Sequence, residues 1–138
     1  VKSSIVTLDF FDGQKIDFTI NTVSLDEVLT QSDFISIHTP YQNEYLISTD
    51  EFDKMKDGVG IVNTSRGGTL DEVTLIANLE SEKVAFAGLD VFEDEPTPAL
   101  QVLMHPQISL TPHIGASTAE AQNRIGTELA EQIISILK

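Results

Sequence analysis

The sequence predicts an α/β fold, specifically a doubly wound parallel sheet. Short runs of apolar and β-branched residues recur along the 138-residue chain. Segments with helix-start signals lie between these runs, and the runs themselves show no alternation of apolar and polar residues. Strands of that kind are buried on both faces, as in a parallel sheet that is covered by helices.

Six segments have the composition of strands. They are rich in Val, Ile, Leu and Phe and end at Asp, Pro, Gly or polar loop residues. The predicted strands are residues 5–8, 18–20, 34–37, 60–63, 84–89 and 108–110. The first is expected to be a short buried strand.

Four segments carry helix signals. Ser24 and Ser48 each precede a Glu by three residues, which is the capping-box pattern. These helices should run to about residues 31 and 56. Acidic residues 71–72 begin a third helix, as the helix dipole favours, and residues 118–137 form a long amphipathic helix. The side chains expected to be buried are Leu25, Val28, Leu29, Phe52, Met55, Val73, Leu75, Ile76, Leu79, Ile125, Leu129, Ile133, Ile134 and Leu137.

The composition excludes several classes of function. The chain has no cysteine, so disulfides, thiolate metal sites and thiol nucleophiles are ruled out, and we expect no metal. The net charge is −14 and the few Lys and Arg residues are scattered, which argues against nucleic acid and anionic membranes as partners. No apolar run is long enough to cross a bilayer. The N-terminus lacks a signal-peptide pattern, which predicts a cytoplasmic protein.

Chemically useful residues follow the predicted strands. They are Asp9, residues 38–40, residues 64–66, Asp90 and residues 112–113. Ligands of open parallel sheets bind outside the carboxyl ends of the strands. The sequence therefore predicts a small-molecule site at one edge of the sheet, lined by an acid, an Arg and a His.

Four motifs identify a family resemblance. They are Ser32-Asp33-Phe34-Ile35-Ser36-Ile37-His38-Thr39-Pro40, Asn63-Thr64-Ser65-Arg66-Gly67-Gly68, Leu89-Asp90-Val91-Phe92 with Glu95-Pro96, and Thr111-Pro112-His113-Ile114-Gly115-Ala116-Ser117-Thr118. In this order and spacing they resemble the second half of the cofactor domain of D-isomer-specific 2-hydroxyacid dehydrogenases. The His113 motif, followed by Glu120-Ala121-Gln122, is most similar to the members that oxidise 3-phosphoglycerate for serine synthesis.

The resemblance implies a catalytic set of Arg66, Glu95 and His113. In such an enzyme a hydride moves between C2 of a 2-hydroxy acid and a nicotinamide while the hydroxyl loses a proton. His113 would be the base, and Glu95 would fix its tautomer and stabilise the imidazolium. The planar guanidinium of Arg66 would bind the substrate carboxylate and polarise the C2 oxygen.

The resemblance also implies an NAD site. Asp90 would accept a hydrogen bond from the nicotinamide carboxamide, and an acid at Asp9 would bind the adenosine ribose hydroxyls, which favours NAD over NADP. The full set of expected cofactor-binding residues is Asp9, Thr39, Thr64, Ser65, Arg66, Asp90, His113, Gly115 and Ala116.

Each of these residues also has a structural interpretation. Arg66 could be a surface side chain, although the two following glycines indicate a close backbone approach. His113 could be a structural histidine, and Glu95 is one of three consecutive acids in what could be a solvated loop. His38 and His105 are interpreted as structural or solvated, not catalytic.

The glycine motif G-x-G-x-x-G of dinucleotide-binding domains is absent from the sequence. We therefore expect residues 1–138 to be the C-terminal portion of an incomplete Rossmann-like domain, without its glycine-motif strand and helix and without the substrate domain. Such a fragment should be inactive alone. The complete enzyme is expected to be a homo-oligomer, a dimer, acting on a small 2-hydroxy or 2-keto acid. The alternative function is a non-catalytic binding or oligomerisation module that resembles a corepressor.

Overall fold

The computed structural model describes residues 2–137, which form six strands and five helices; strands and helices alternate from β2 onwards. The strands are β1 (Ser3–Asp9), β2 (Lys15–Asn21), β3 (Phe34–Ile37), β4 (Val59–Asn63), β5 (Val84–Leu89) and β6 (Ile108–Leu110). The helices are α1 (Leu25–Gln31), α2 (Thr49–Lys54), α3 (Glu72–Glu80), α4 (Leu100–Met104) and α5 (Ala119–Ile136).

The predicted parallel sheet is confirmed. Strands β3, β4, β5 and β6 form one four-stranded sheet in that order, and each neighbouring pair is parallel. Because all four strands run in the same direction, their carboxyl ends meet at one edge of the sheet. The loops that follow β3, β4, β5 and β6 therefore lie side by side, which is the arrangement that the predicted site requires.

The helix starts are also confirmed. The Ser24 hydroxyl accepts a hydrogen bond from the Glu27 amide at 3.2 Å, and the Ser48 amide donates to the Glu51 carboxylate at 3.0 Å. Asp71 caps α3 and Thr118 caps α5. These caps satisfy amide groups that have no partner within a helix. Helix α2 ends at Lys54, two residues earlier than predicted, and the short helix α4 was not predicted.

The core lies between the four-stranded sheet and helices α1 to α4. Its fully buried side chains include Leu29, Phe52, Leu75 and Leu79, as predicted. Val73 was expected in the core and is instead exposed. Residues two positions apart lie about 200° apart around a helix, so burying Leu75 turns Val73 towards solvent.

The expected burial of the first strand and of Leu25 is wrong. Strand β1 pairs antiparallel with β2 in a separate two-stranded sheet, and every residue of both strands is exposed. The connection turns at Gly13, where φ is +83°, a conformation that glycine adopts readily. The β1 backbone satisfies its hydrogen bonds with β2 instead of joining the parallel sheet. Leu25 is the first residue of α1 and is exposed at the helix end.

The apolar stripe of α5 is also exposed, contrary to expectation. Ala121, in the first turn, is the buried residue of this helix. The exposed members of the stripe are Ile125, Leu129, Ile133, Ile134 and Leu137. Periodicity correctly indicated an amphipathic helix, but the described chain covers only its beginning. Among residues 2–137, no helix has the length and apolarity needed to cross a membrane.

Replacing Leu75 with Ala should lower the free energy of unfolding by about 2–5 kcal/mol, because the change leaves a cavity in the core. Val73→Ala is the matched control on the same helix, and its effect should stay within about 0.5 kcal/mol because the side chain is exposed. Urea unfolding followed by circular dichroism measures both. Equal effects of the two substitutions would contradict the described orientation of α3.

Candidate active site

Asp90 joins the three loops that carry the predicted catalytic residues. Its amide donates to the Asn63 carbonyl at the end of β4, at 3.0 Å. Its Oδ1 atom accepts hydrogen bonds from the His113 amide, at 3.0 Å, and from the Thr111 hydroxyl. The loops after β4, β5 and β6 are thereby connected at one edge of the sheet.

Glu95 and His113 form the most direct contact in the site. The His113 Nδ1 atom lies 2.9 Å from Oε2 and 3.1 Å from Oε1 of Glu95. The Phe92 amide also donates to Glu95, at 3.0 Å. The hydrogen bond from His113, followed by that from Phe92, lowers the pKa of Glu95, so this carboxyl group is ionised at neutral pH.

This contact assigns the histidine tautomer. An ionised carboxylate only accepts hydrogen bonds, so Nδ1 of His113 carries a proton. Nε2 of the neutral ring then has an available lone pair, and it makes no hydrogen bond to another residue between 2 and 137. The ring can therefore accept a proton at Nε2, and Glu95 stabilises the imidazolium that results.

The backbone of His113 is strained. Its φ is +51°, in the left-handed region that residues other than glycine rarely adopt. Such conformations cost about 1–3 kcal/mol and persist where surrounding contacts enforce them. Here the His113 amide is held by Asp90 and the ring by Glu95.

The loop after β4 approaches the loop after β5 closely at Gly67. A Cβ atom on Gly67 would overlap the Phe92 carbonyl, so only glycine fits there without movement of the backbone. Gly68 has a φ of +74°. The two glycines that follow Arg66 indicated such an approach, and the structure identifies the neighbour as the segment that leads to Glu95.

Arg66 lies at the same sheet edge but does not contact Glu95 or His113. Its Nη1 atom donates to the Ser65 carbonyl at 2.6 Å. The side chain makes no ion pair with any of the carboxylates described between residues 2 and 137. The guanidinium is exposed and available to a ligand.

Two concave surfaces adjoin these residues. A groove of about 350 Å³ is lined by residues 38–40 and 64–66. A pocket of about 510 Å³ is lined in part by Glu95 and His113. The other residues that line this pocket are Phe92, Pro96, Pro98, Leu103, Leu110, Thr111 and Pro112. The Glu95–His113 pair thus shares this pocket with mostly apolar side chains.

The groove fits a polar cofactor. The Thr39 hydroxyl oxygen is buried and has no hydrogen-bond partner within the described chain, although buried polar atoms normally have one. Thr64 also lines the groove, as does Ser65, whose hydroxyl is already used in a 2.9 Å hydrogen bond to Asn63. Asp90 retains Oδ2 as an acceptor, and Gly115 has open space around its Cα.

Asp9 is not brought to this edge as part of the parallel sheet. It ends β1 in the separate hairpin, where Lys15 pairs with it at 2.8 Å. Its assignment to the ribose hydroxyls stays a prediction. His38 bonds to the Ser36 hydroxyl at 2.7 Å, and His105 accepts from the Gln107 amide, so both have local structural contacts.

The sequence did not reveal a second carboxylate contact, between Glu72 and Glu93. The Glu93 amide donates to Glu72 Oε1 and the Glu72 amide donates to Glu93 Oε1, both at 2.8 Å. The Tyr45 hydroxyl donates to Glu93 Oε2 at 3.1 Å. Burial raises the pKa of Glu72, and the neighbouring charge of Glu93 adds to this effect. These bonds fasten the start of α3 to the loop that contains Glu95.

Comparison with known proteins identifies the family of the chain. The family model described as D-isomer specific 2-hydroxyacid dehydrogenase, NAD binding domain, matches residues 4–115. The chain belongs to this family. Its fold is that of the family's Rossmann-like NAD-binding domain, and NAD is its cofactor.

Two curated members of the family illustrate the similarity. The hydroxypyruvate reductase of Thermotoga maritima is 48% identical over 126 residues, and the D-3-phosphoglycerate dehydrogenase of Mycobacterium leprae is 47% identical over 116 residues. The matches cover 88% and 83% of this chain. The chain spans 41% and 22% of the length of these two proteins.

Solved structures of the family have the same fold. A glyoxylate reductase from Paecilomyes thermophila superposes with a TM-score of 0.75 and 42% identity, over 84% of this chain and 36% of the other. The D-lactate dehydrogenase from Aquifex aeolicus, complexed with NAD and lactic acid, gives 0.67 and 32%, over 83% of this chain and 40% of the other.

Replacing Glu72 with Gln should stabilise the protein at neutral pH. The raised pKa means that the folded state binds this proton more tightly than the unfolded chain does. The contribution of Glu72 to the free energy of unfolding is therefore greatest below the ordinary carboxyl pKa and is lost as the pH rises through the raised pKa. Gln keeps an acceptor for the Glu93 amide and does not ionise. The decrease in the free energy of unfolding with rising pH should therefore be smaller in Glu72→Gln than in the wild type.

Urea unfolding measures this effect over a range from pH 4, just below the ordinary pKa of a Glu carboxyl, up to pH 8. Glu80→Gln is the matched control, because Glu80 is exposed on the same helix and its removal should leave the pH dependence unchanged. A pH dependence of Glu72→Gln that equals the wild type would contradict the assigned cause.

Proposed function

We propose that this chain forms part of an NAD-dependent dehydrogenase that interconverts a D-2-hydroxy acid and its 2-keto acid. The observation that carries the proposal is the pairing of Glu95 with Nδ1 of His113, which leaves Nε2 available for proton transfer. Removal of hydrogen from a secondary alcohol needs a base at the hydroxyl oxygen, and this pair supplies one.

His113 holds and moves the proton. In oxidation, Nε2 accepts the proton of the C2 hydroxyl, and in reduction it returns a proton to the C2 oxygen. The imidazolium formed in the first case is stabilised by the adjacent carboxylate of Glu95, which lies 2.9 Å from Nδ1. Positioned acid–base catalysis of this kind contributes about 10²–10⁴-fold to the rate.

Arg66 binds the substrate. Its guanidinium presents parallel N–H donors that match a carboxylate. A carboxylate held by Arg66 places the neighbouring C2 oxygen at the sheet edge that His113 shares. N–H donors of the same side chain would polarise the C2 oxygen of the keto acid, which makes C2 a better hydride acceptor.

Residues of the groove would hold the cofactor. Thr39 offers its unpartnered hydroxyl, Thr64 and Ser65 line the same groove, and Asp90 offers Oδ2 to the carboxamide. His113, Gly115 and Ala116 would contribute from the loop after β6. When bound, the nicotinamide supplies the hydride acceptor or donor for C2, and the protein supplies orientation and charge.

The substrate that we propose is 3-phosphoglycerate, which would place the enzyme in serine biosynthesis. The motif from His113 onwards and the 47% identity to the mycobacterial enzyme support it. Hydroxypyruvate is the second candidate. The 48% identity to the Thermotoga enzyme favours it.

A non-catalytic module of the same fold is the alternative function. A scaffold has no need for an Arg, a Glu and a His at one sheet edge, nor for a strained backbone at the histidine. The pairing of Glu95 with His113 therefore favours an enzyme.

We also propose that residues 1–138 are the C-terminal portion of the dinucleotide-binding domain, with the substrate domain elsewhere in the subunit. The absence of a glycine motif and the longer relatives support this organisation. The uncovered apolar faces of the β1–β2 hairpin and α5 support contacts with further protein, and we propose a homo-oligomeric, dimeric enzyme in the cytoplasm.

The complete enzyme should oxidise NADH in the presence of a 2-keto acid. Absorbance of NADH, followed with 3-phosphohydroxypyruvate, hydroxypyruvate, glyoxylate and pyruvate, measures the rates. A kcat/KM at least about tenfold higher for 3-phosphohydroxypyruvate than for hydroxypyruvate, equivalent to about 1.4 kcal/mol, would support the first substrate. The reverse order would support the second, and no turnover of any 2-keto acid would contradict the proposed reaction.

Matched variants connect this activity to the site. His113→Asn and Arg66→Lys should each lower kcat/KM by about 10²-fold or more, because the first removes the base and the second removes the planar fork. Val73→Ala, at an exposed position outside the residues assigned to catalysis and cofactor binding, should leave the rates unchanged. Near-normal turnover of either site variant would rule out the role assigned to that residue.

The 138-residue chain alone should bind NAD weakly and show no turnover. It contains no glycine motif to place a helix N-terminus at the pyrophosphate. Isothermal titration of the 138-residue chain with NAD measures the affinity, and the complete enzyme is the control. Micromolar binding by the isolated chain would contradict the proposed domain organisation.

A further inference from the structure

The side chain of Asn63, the last residue of β4, is almost fully buried, and its polar atoms form hydrogen bonds with a single loop. Its Oδ1 atom accepts from the Ser65 amide at 3.2 Å and from the Ser65 hydroxyl at 2.9 Å. Its Nδ2 atom donates to the Arg66 carbonyl at 3.2 Å and to the Thr69 hydroxyl at 3.0 Å. The exposed fraction of Asn63 is 2%.

Thr69 completes this arrangement. Its buried hydroxyl donates to the Arg66 carbonyl at 2.7 Å while it accepts from Asn63. The carbonyl of Arg66 therefore receives two hydrogen bonds, which is the capacity of its lone pairs. The amide of Ser65 and the carbonyl of Arg66 are both fixed, so the backbone on either side of the arginine Cα is held in place.

We propose that Asn63, together with Thr69, is a positioning residue that sets the direction in which the Arg66 guanidinium leaves the sheet edge. The inference rests on the proposed function of Arg66 in binding the substrate carboxylate. Neither side chain is itself assigned a contact with substrate or cofactor.

The chemistry of burial supports a positioning role. Burying an amide is unfavourable unless its hydrogen bonds are satisfied, and an apolar residue of similar size would fill the same space. All four hydrogen bonds of the Asn63 side chain go to Ser65, Arg66 and Thr69. The side chain thus constrains the conformation of this loop instead of linking elements of the core. A bidentate contact between Arg66 and a carboxylate depends on geometry, so a small rotation of the loop would weaken it.

A double-mutant cycle in the complete enzyme tests the proposal. Asn63→Ala should lower kcat/KM for the 2-keto acid about 10–100-fold when Arg66 is present. In the Arg66→Ala background the same substitution should lower kcat/KM less than about threefold, because no guanidinium remains to be positioned.

Thr69 provides a second and milder pair of variants in case Asn63→Ala folds poorly. Thr69→Val removes the hydroxyl that donates to the Arg66 carbonyl, and it should repeat the loss of kcat/KM in the same Arg66-dependent way. Thr69→Ser keeps the hydroxyl and should retain activity within about threefold of the wild type. Circular dichroism and thermal unfolding confirm that each variant is folded.

The outcomes separate this inference from the proposed function. Suppose that Asn63→Ala and Thr69→Val lower kcat/KM by the same factor whether or not Arg66 is present, while Arg66→Ala alone still slows the enzyme. That result would overturn the positioning role and leave the proposed role of Arg66 intact. Full activity of Asn63→Ala and Thr69→Val would overturn the positioning role as well. Full activity of Arg66→Ala would instead overturn the proposed role of Arg66, and the inference with it.

Discussion

The candidate site depends on the carboxylate and amide of Asp90. Through its amide, Asp90 is tied to Asn63, and through Oδ1 it holds Thr111 and the amide of His113. The left-handed backbone at His113 has a conformational cost, and the hydrogen bond to Asp90 is what opposes it. Without this contact, the parallel sheet would still align the strand ends, but the histidine would lose the constraint on its backbone. Sheet topology provides proximity, and Asp90 provides orientation.

Much of the fold could be predicted because its signals are local. Ser24, Ser48, Asp71 and Thr118 were recognised as helix starts, since an N-cap is defined by residues within one turn of it. The apolar face of α5 was recognised from periodicity as well. What could not be predicted is which surface covers that face, because burial depends on neighbours that periodicity does not describe. The same reason explains β1, whose composition predicts a strand but not its partner.

The candidate site was likewise predictable only in part: the sequence indicated its main residues but not the contacts that support them. Arg66, Glu95 and His113 could be named from motifs, and the glycines after Arg66 indicated a close approach that the structure finds at Phe92. The supporting contacts were missed. Glu72 looked like an ordinary acidic residue at a helix start, and its reciprocal contact with Glu93 joins positions far apart in the sequence. The one available signal was the polar Asn63 at the end of an apolar strand, where a buried amide requires partners.

The charges of the protein explain why Arg66 can serve an anionic substrate in so acidic a chain. The other described cations, apart from Lys2, are paired with carboxylates, as in the contacts of Lys54 with Asp26 and Lys83 with Asp57. Arg66 has no such partner between residues 2 and 137, and one of its N–H groups donates a hydrogen bond to the Ser65 carbonyl. A substrate carboxylate therefore has no internal carboxylate to displace. Fixing the arginine through the backbone preserves its charge for the ligand, whereas an ion pair would have fixed it at the expense of binding.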